Sequence, residues 1–187
     1  MKRKIFISLL IFSLFSLPKI YSQDQDVEKH IQKIRKDYNL IKSQISSLEK
    51  DGSEGELYCL HTIDNKYGKS YPTVGEYKEE FWFYYDFNYE LEYNVKPRLR
   101  MIIGEIKFSI NNIYIETLFN ENGEILFAFE QSDDIAKRLY YNENNIIRFS
   151  RNNTNYEIDD FSDEVIWIWR AADERKQRFD NFFSVVE

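Results

Sequence analysis

The stretch EEFWFYYDFNYELEYN, residues 79–94, decides how this chain is read. Phe81, Phe83, Tyr85, Phe87, Tyr89, Leu91, Tyr93 and Val95 share one parity. Trp82, Tyr84, Asp86, Asn88, Glu90, Glu92 and Asn94 share the other. Alternation with period two is the pattern of a strand with one buried face. A single strand of about fifteen residues would run roughly 50 Å, well past the usual length. A turn or bulge is therefore expected near Asp86–Asn88, dividing the stretch into two strands. On this reading one parity fills the core and the other is wet, which leaves Trp82 and Tyr84 as large side chains on the solvent side.

Working outward, ELYCLHTI at 56–63 reads as a first strand and DNKYGKSYPTVGEY at 64–77 as a loop rich in turn residues. Later strands are bounded by VKPRL, INNI, NENGE and NENNI, where Asn and Gly supply the positive φ angles of tight turns. ETLFNENGEILFAFE (116–130) is the cleanest hairpin, and KRLYYNENNIIRF (137–149) repeats its plan. Two copies are too few for a stacked repeat array. A meandering antiparallel sheet of about six to eight strands is the natural reading.

Helices flank the sheet. Over 25–50, Val27, Ile31, Ile34, Tyr38, Ile41, Ile45 and Leu48 recur at alternating steps of four and three, one apolar stripe, and DGSEG ends it. Lys29, Lys33, Lys36 and Lys42 are expected to solvate the far side. The stripe suits packing on the chain's own sheet, with a coiled-coil seam between two copies as the alternative. From 162 to 184, Val165, Ile168, Trp169, Ala172, Phe179, Phe182 and Phe183 lie near one face, and Ser162, Asp163 and Glu164 favour a helix start. The fold class is α+β: an N-terminal amphipathic helix, a twisted antiparallel sheet and a C-terminal helix packed on it.

With its hairpins of the form RLYYNENNIIRF and ETLFNENGEILFAFE behind one amphipathic helix, the chain resembles secreted proteins of Bacteroidetes-type bacteria. It departs from their turn pattern at Asn145, where Gly or Lys is more usual. The resemblance implies an exported α+β domain and brings no active-site residue with it.

The N-terminus points the same way. Lys2, Arg3 and Lys4 precede the apolar run IFISLLIFSLF and the helix-breaking Pro18, the layout of a secretory signal peptide. The run is too short for the roughly 20 residues that span a bilayer. Residues 1–22 are the expected signal, with cleavage after Ser22 and a single domain over 23–187, in the periplasm or outside a Gram-negative cell. No cysteine lies near that point to carry a lipid, and no membrane insertion is expected after cleavage. About 165 residues suffice for one core. Cys59 is the sole cysteine, so no intrachain disulfide forms, and it is expected to be a small buried hydrophobe. Cleavage would shift the formal charge from −7 to about −11. So acidic a chain repels phosphate backbones, and nucleic acid and anionic lipid are poor partners.

Groups that carry chemistry are sparse. His30 falls between stripe positions and is expected to be exposed. His61 shares a strand face with Cys59, but side chains two apart sit roughly 6–7 Å from each other, too far for a thiolate–imidazole pair. Glu79, Glu80, Glu90, Glu92, Glu105, Glu116, Glu124 and Glu130 decorate the strands, and two carboxylates at about 5–9 Å would suit glycoside hydrolysis. Acids on the wet face of a strand are the simpler expectation. NNTNYEIDDFSDE concentrates oxygen ligands, and Asp159, Asp160 and Asp163 are the candidate calcium ligands, without the EF-hand pattern. With no Gly-rich phosphate loop, serine elbow or zinc signature, no cofactor is expected.

Two functions follow. The first is a non-enzymatic binding or protein-interaction domain of the cell envelope, a monomer or weak homodimer whose partner is a protein, peptide or glycan contacted through Trp82 and Tyr84. Against exposed aromatics stands the possibility that the two helices cover them on different parts of a curved sheet. The second is a small envelope hydrolase using a carboxylate pair.

Overall fold

The computed structural model describes residues 17–72, 75–87, 95–157 and 162–184. Helix α1 (Leu17–Asp51) runs into a single 3-10 turn at Gly52–Glu54, where Gly52 takes φ +63° and ends the helix. Nine strands follow: β1 (Tyr58–Asp64), β2 (Ser70–Tyr71), β3 (Gly75–Phe87), β4 (Pro97–Phe108), β5 (Asn112–Phe119), β6 (Ile125–Ser132), β7 (Ile135–Asn142), β8 (Asn145–Arg151) and β9 (Thr154–Tyr156). Helix α2 (Ser162–Ser184) closes the described chain. The sheet is an open antiparallel meander in the order β1-β3-β4-β5-β6-β7-β8-β9, with the short β2 paired to β3. The fold is α+β, as expected. No described helix is long and apolar enough to cross a membrane.

The hairpins follow local turn chemistry. At the β5–β6 turn the Asn120 side-chain oxygen accepts from the backbone N–H groups of Asn122 and Glu124, and Gly123 takes φ +79°. At β7–β8, Glu143 and Asn144 both have positive φ, as a type I′ turn requires. Two more tight turns join β6 to β7 at Asp133 and β8 to β9 at Asn152–Asn153. Asn152 ties these two together: its N–H donates to the Ala136 carbonyl and its side-chain oxygen accepts from the Ala136 N–H.

Period two holds along β3, but the expectation of a wet face does not. Phe81, Phe83 and Tyr85 face a cluster that includes Ile102, Ile115, Phe119, Leu139, Tyr141 and Phe149, closed by Val165, Ile168, Ala172 and Phe179 of α2. Tyr84 faces the opposite cluster with Met101, Leu118, Phe127 and Tyr140, closed by Ile31, Ile34, Ile41 and Ile45 of α1. The molecule is thus three layers, with one helix on each face of the sheet. All seven stripe residues of α1 belong to this second cluster, so the stripe is spent on the chain's own sheet. Burying four isoleucines contributes at most about 6–12 kcal/mol to holding α1 in place. On α2, Trp169 and Phe182 depart from the sequence reading and remain exposed.

Three bulges adjust which side chains meet. The register shifts between Tyr84 and Tyr85, between Leu118 and Phe119, and between Tyr140 and Tyr141. The shifts leave Arg100, Leu126 and Ile147 as the extra residues of the partner strands. Leu99 and Met101 would share a face in a regular strand, but with Arg100 bulged they join opposite cores. The Tyr84–Tyr85 shift does not break β3, which runs unbroken from Gly75 to Phe87, so the break expected near Asp86–Asn88 falls where the described residues end. The second strand expected beyond Asn88 lies outside the described residues. Asp86 is clamped by Arg98 (2.7 and 3.1 Å) and the bulged Arg100 (2.8 Å).

Candidate functional site

The register lays two rows of side chains across the face that α1 covers. One runs Cys59, Tyr84, Met101, Leu118, Phe127, Tyr140 and Arg148 from β1 to β8. The other runs His61, Trp82, Ile103, Glu116, Phe129, Arg138 and Ser150. Helix α1 sits on the first row. Glu28 pairs with Arg148 in its N-terminal half, and Tyr38 meets Phe127 edge-on at 5.6 Å further along. Beside the helix, over the second row, lies a cavity of about 320 Å³.

Glu116 forms the polar floor. It is buried at 5% exposure, yet the sequence reading places it on a wet strand face. Its Oε1 accepts from the Lys42 ammonium at 3.0 Å and the Tyr114 hydroxyl at 2.5 Å, and its Oε2 accepts from the Tyr38 hydroxyl at 2.5 Å. A buried carboxylate needs such partners to remain ionised. Burial, then the hydrogen bond to Glu116, push both phenols well above the ordinary tyrosine range, so Tyr38 and Tyr114 are held as protonated donors. Lys42 therefore turns inward and does not solvate the far side of α1.

Two guanidiniums and the side chain of Asn39 add to the polar lining. Arg138 lies over the Phe129 ring at 5.1 Å and donates to the Asn153 side-chain oxygen at 3.1 Å. Arg35 lies over the Tyr140 ring at 5.8 Å. Among the described residues neither forms an ion pair with a carboxylate. Lys42 balances Glu116, so the cavity carries a local excess of positive charge in a chain of net charge −7. Ile34, Phe127, Phe129 and Tyr140 make the walls apolar. Apolar walls with a few convergent polar groups are the usual make-up of a small-molecule site. Chemically, the arrangement can attract an anion and hold a ring. Its lining contains one carboxylate, already engaged three times, and no thiol, hydroxymethyl or imidazole group.

Several sequence candidates fall elsewhere. Tyr84 is not a contact platform: it is buried at 5% exposure, and burial pushes its hydroxyl up to about 12. Trp82 is half-buried in the same row as Glu116 and stacks on His61 at 4.8 Å, and His61 Nε2 lies 2.9 Å from Glu80. A hydrogen bond from Lys78 foremost, with His61 helping, holds the Glu80 carboxyl below its usual range. Cys59 is exposed on edge strand β1 and is not a core residue. His30 is half-buried, its Nε2 3.2 Å from the Tyr141 carbonyl oxygen, and is not fully exposed as expected. Asp163 is exposed in the first turn of α2, while Asp159 and Asp160 lie outside the described residues. Among the described residues, no group of three or more His, Cys, Asp or Glu is placed to hold a metal ion. The most exposed tryptophan is Trp167 on α2, at 69%.

No pattern in the sequence groups Arg35, Tyr38, Lys42, Tyr114, Glu116 and Arg138. Two signals for them exist. Glu116 interrupts the apolar strand IYIETLF, and Tyr38 in the apolar stripe needs a partner for its hydroxyl, with Lys42 four residues on along the same helix face. No family model matches the chain, and neither the curated proteins nor the solved structures contain a match.

Proposed function

We propose that this chain is an exported, non-enzymatic binding domain of the bacterial cell envelope, and that the cavity beside α1 is its ligand site. The observation that carries the reading is the pair of guanidiniums, Arg35 and Arg138, each lying over an aromatic ring in one cavity and, among the described residues, neither in an ion pair with a carboxylate. A guanidinium left without its counter-charge in an acidic protein favours an anion from outside. A lining with a single carboxylate, already bonded to three donors, weighs against a carboxylate-pair hydrolase at this place. Export rests on the N-terminal sequence and on the resemblance to secreted proteins of Bacteroidetes-type bacteria.

Native mass spectrometry of the protein, purified gently from its own envelope fraction, tests the reading. A reproducible small-molecule adduct at one per chain is expected, together with a mature N-terminus near Gln23. A bare chain that turns over glycoside substrates would replace the binding reading with the enzymatic one. A chain found only in the cytoplasm with its first residues intact would remove the export part.

A further inference from the structure

Taking the cavity as the ligand site, we infer that its ligand is a small organic anion, a carboxylate or phosphate monoester attached to a flat apolar body. The oxyanion sits between Arg35 and Arg138, and the body lies against Phe127, Phe129 and Tyr140. The inference rests on the binding reading and deepens it to a chemical class.

Size comes first. A cavity of about 150 Å³ holds benzene, and ligand sites run upward from about 300 Å³. The space beside α1, at about 320 Å³, therefore suits a body of roughly one or two rings and excludes an extended glycan or folded partner from its interior. Charge comes next. Glu116 offers little to a cationic ligand, because Lys42 already balances its charge and Tyr38, Tyr114 and Lys42 occupy three of its roughly four acceptor sites. Arg138 has one described hydrogen bond, to a neutral amide, so its planar fork retains donors for an oxyanion. Arg138 lies over Phe129 and Arg35 over Tyr140, contacts that restrict the two guanidiniums before the ligand arrives and so lower the ordering cost of binding. The Tyr38 and Tyr114 hydroxyls, kept protonated, add no negative charge to repel it.

Four one-ring probes test this with the protein from the envelope fraction: benzoate, phenyl phosphate, benzyl alcohol and benzylamine, titrated by calorimetry. At least one anion is expected to bind saturably in the millimolar range or tighter, about tenfold or more ahead of benzyl alcohol, and to weaken as salt rises. Arg138→Gln is expected to weaken the anion by at least about tenfold, and the more exposed Arg35→Gln by less. Lys29→Gln removes the same charge from the exposed side of α1 and should leave affinity unchanged. Phenyl phosphate well ahead of benzoate assigns a phosphate monoester, and the reverse assigns a carboxylate. Melting curves confirm that the variants are folded.

Equal or tighter binding of the alcohol or the amine would overturn the anionic class and leave the cavity as a ligand site. Anion binding that ignores both arginine substitutions would overturn it too, because the anion would then sit elsewhere. Failure of all four probes beside a reproducible native adduct removes the class alone, and failure beside a bare native chain removes the binding reading as well.

Discussion

Replacing Glu116 by Gln tests whether the floor of the cavity is an ionised carboxylate held by three donors. The change is isosteric, so no cavity opens, and only charge and hydrogen-bond polarity differ. Hydrogen bonds to a charged group contribute about 1.5–3 kcal/mol against about 0.5–1.5 for neutral ones. The bonds from Tyr38 and Tyr114 should each lose about 1 kcal/mol. One of them must also reverse, because an amide nitrogen donates and cannot accept. Lys42 is 36% exposed and can return to water, so its share stays below about 1 kcal/mol. The expected loss is about 2–3 kcal/mol at neutral pH, read as a lower urea midpoint at unchanged slope. In heat this is roughly 5–10 °C for a chain of this size. Tyr38→Phe combined with Glu116→Gln should cost about 1 kcal/mol less than the sum of the single changes, since both break the same contact. A Glu116→Gln protein within about 0.5 kcal/mol of the parent, or more stable than it, would refute the reasoning. It would mean that burying the charge costs as much as its three partners return.

Three further outcomes are expected. Gly104→Ala should cost about 1–3 kcal/mol, because a methyl group there meets the buried Phe81 ring at 2.4 Å; an unchanged denaturation midpoint would contradict the cross-strand packing of Phe81 on Gly104. Tyr84→Ala should cost about 3–4 kcal/mol and Trp167→Ala no more than about 0.5, and chemical denaturation of the pair would expose an error in either burial if the order reversed. Glu164 bridges Lys137 at 2.9 Å and Arg151 at 2.5 Å; burial pushes its carboxyl up, but these two cations outweigh burial and hold it below the usual range. A carboxyl with a lowered folded-state value stabilises above its unfolded value of about 4.3 and loses that contribution as pH falls below it. Glu164→Gln should thus cost about 1–2 kcal/mol at pH 7, with the gap to the parent closing below about pH 4. A gap constant down to pH 3 would show that the bridge is not what the carboxylate supplies.

What could be read from the sequence was what depends on near neighbours. The α1 stripe needs only the helical period, and every stripe residue reaches the sheet. The turns at Asn120–Gly123 and Glu143–Asn144 need only residues that tolerate positive φ. Asn152 and Asn153 carry the same signal and make the last described hairpin, but there the sequence draws attention to the run of oxygen ligands that Asn153 opens. The two-sided burial of β3 was not readable, because alternation marks two faces without saying how many are covered. Bulges compound this. With Arg100, Leu126 and Ile147 each out of step, period two assigns a face only between one bulge and the next. The site was hardest of all, since Tyr38 and Glu116 are 78 positions apart and meet only because α1 crosses β5.

The position of the cavity follows from the widths of the two elements that enclose it. A helix with its side chains is about 10 Å across, whereas an eight-residue strand such as β5 or β6 is about 27 Å long. A helix crossing strands of that length covers part of each and leaves the rest of the face open beside it. The row under α1 is accordingly hydrophobic at Met101, Leu118, Phe127 and Tyr140. The next row changes to Glu116, Phe129 and Arg138, and the row beyond it to Glu105, Tyr114 and Gln131, each residue registered opposite the next. Polarity thus rises with distance from the helix axis. The boundary between covered and open sheet is where ionisable groups can reach a ligand yet remain half-shielded from water. Arg35, exposed on the helix, and Arg138, half-buried on the sheet, stand on the two sides of that boundary. A ligand bound between them would therefore also pin α1 to β7, and binding should raise the melting temperature of the parent protein more than that of either arginine variant.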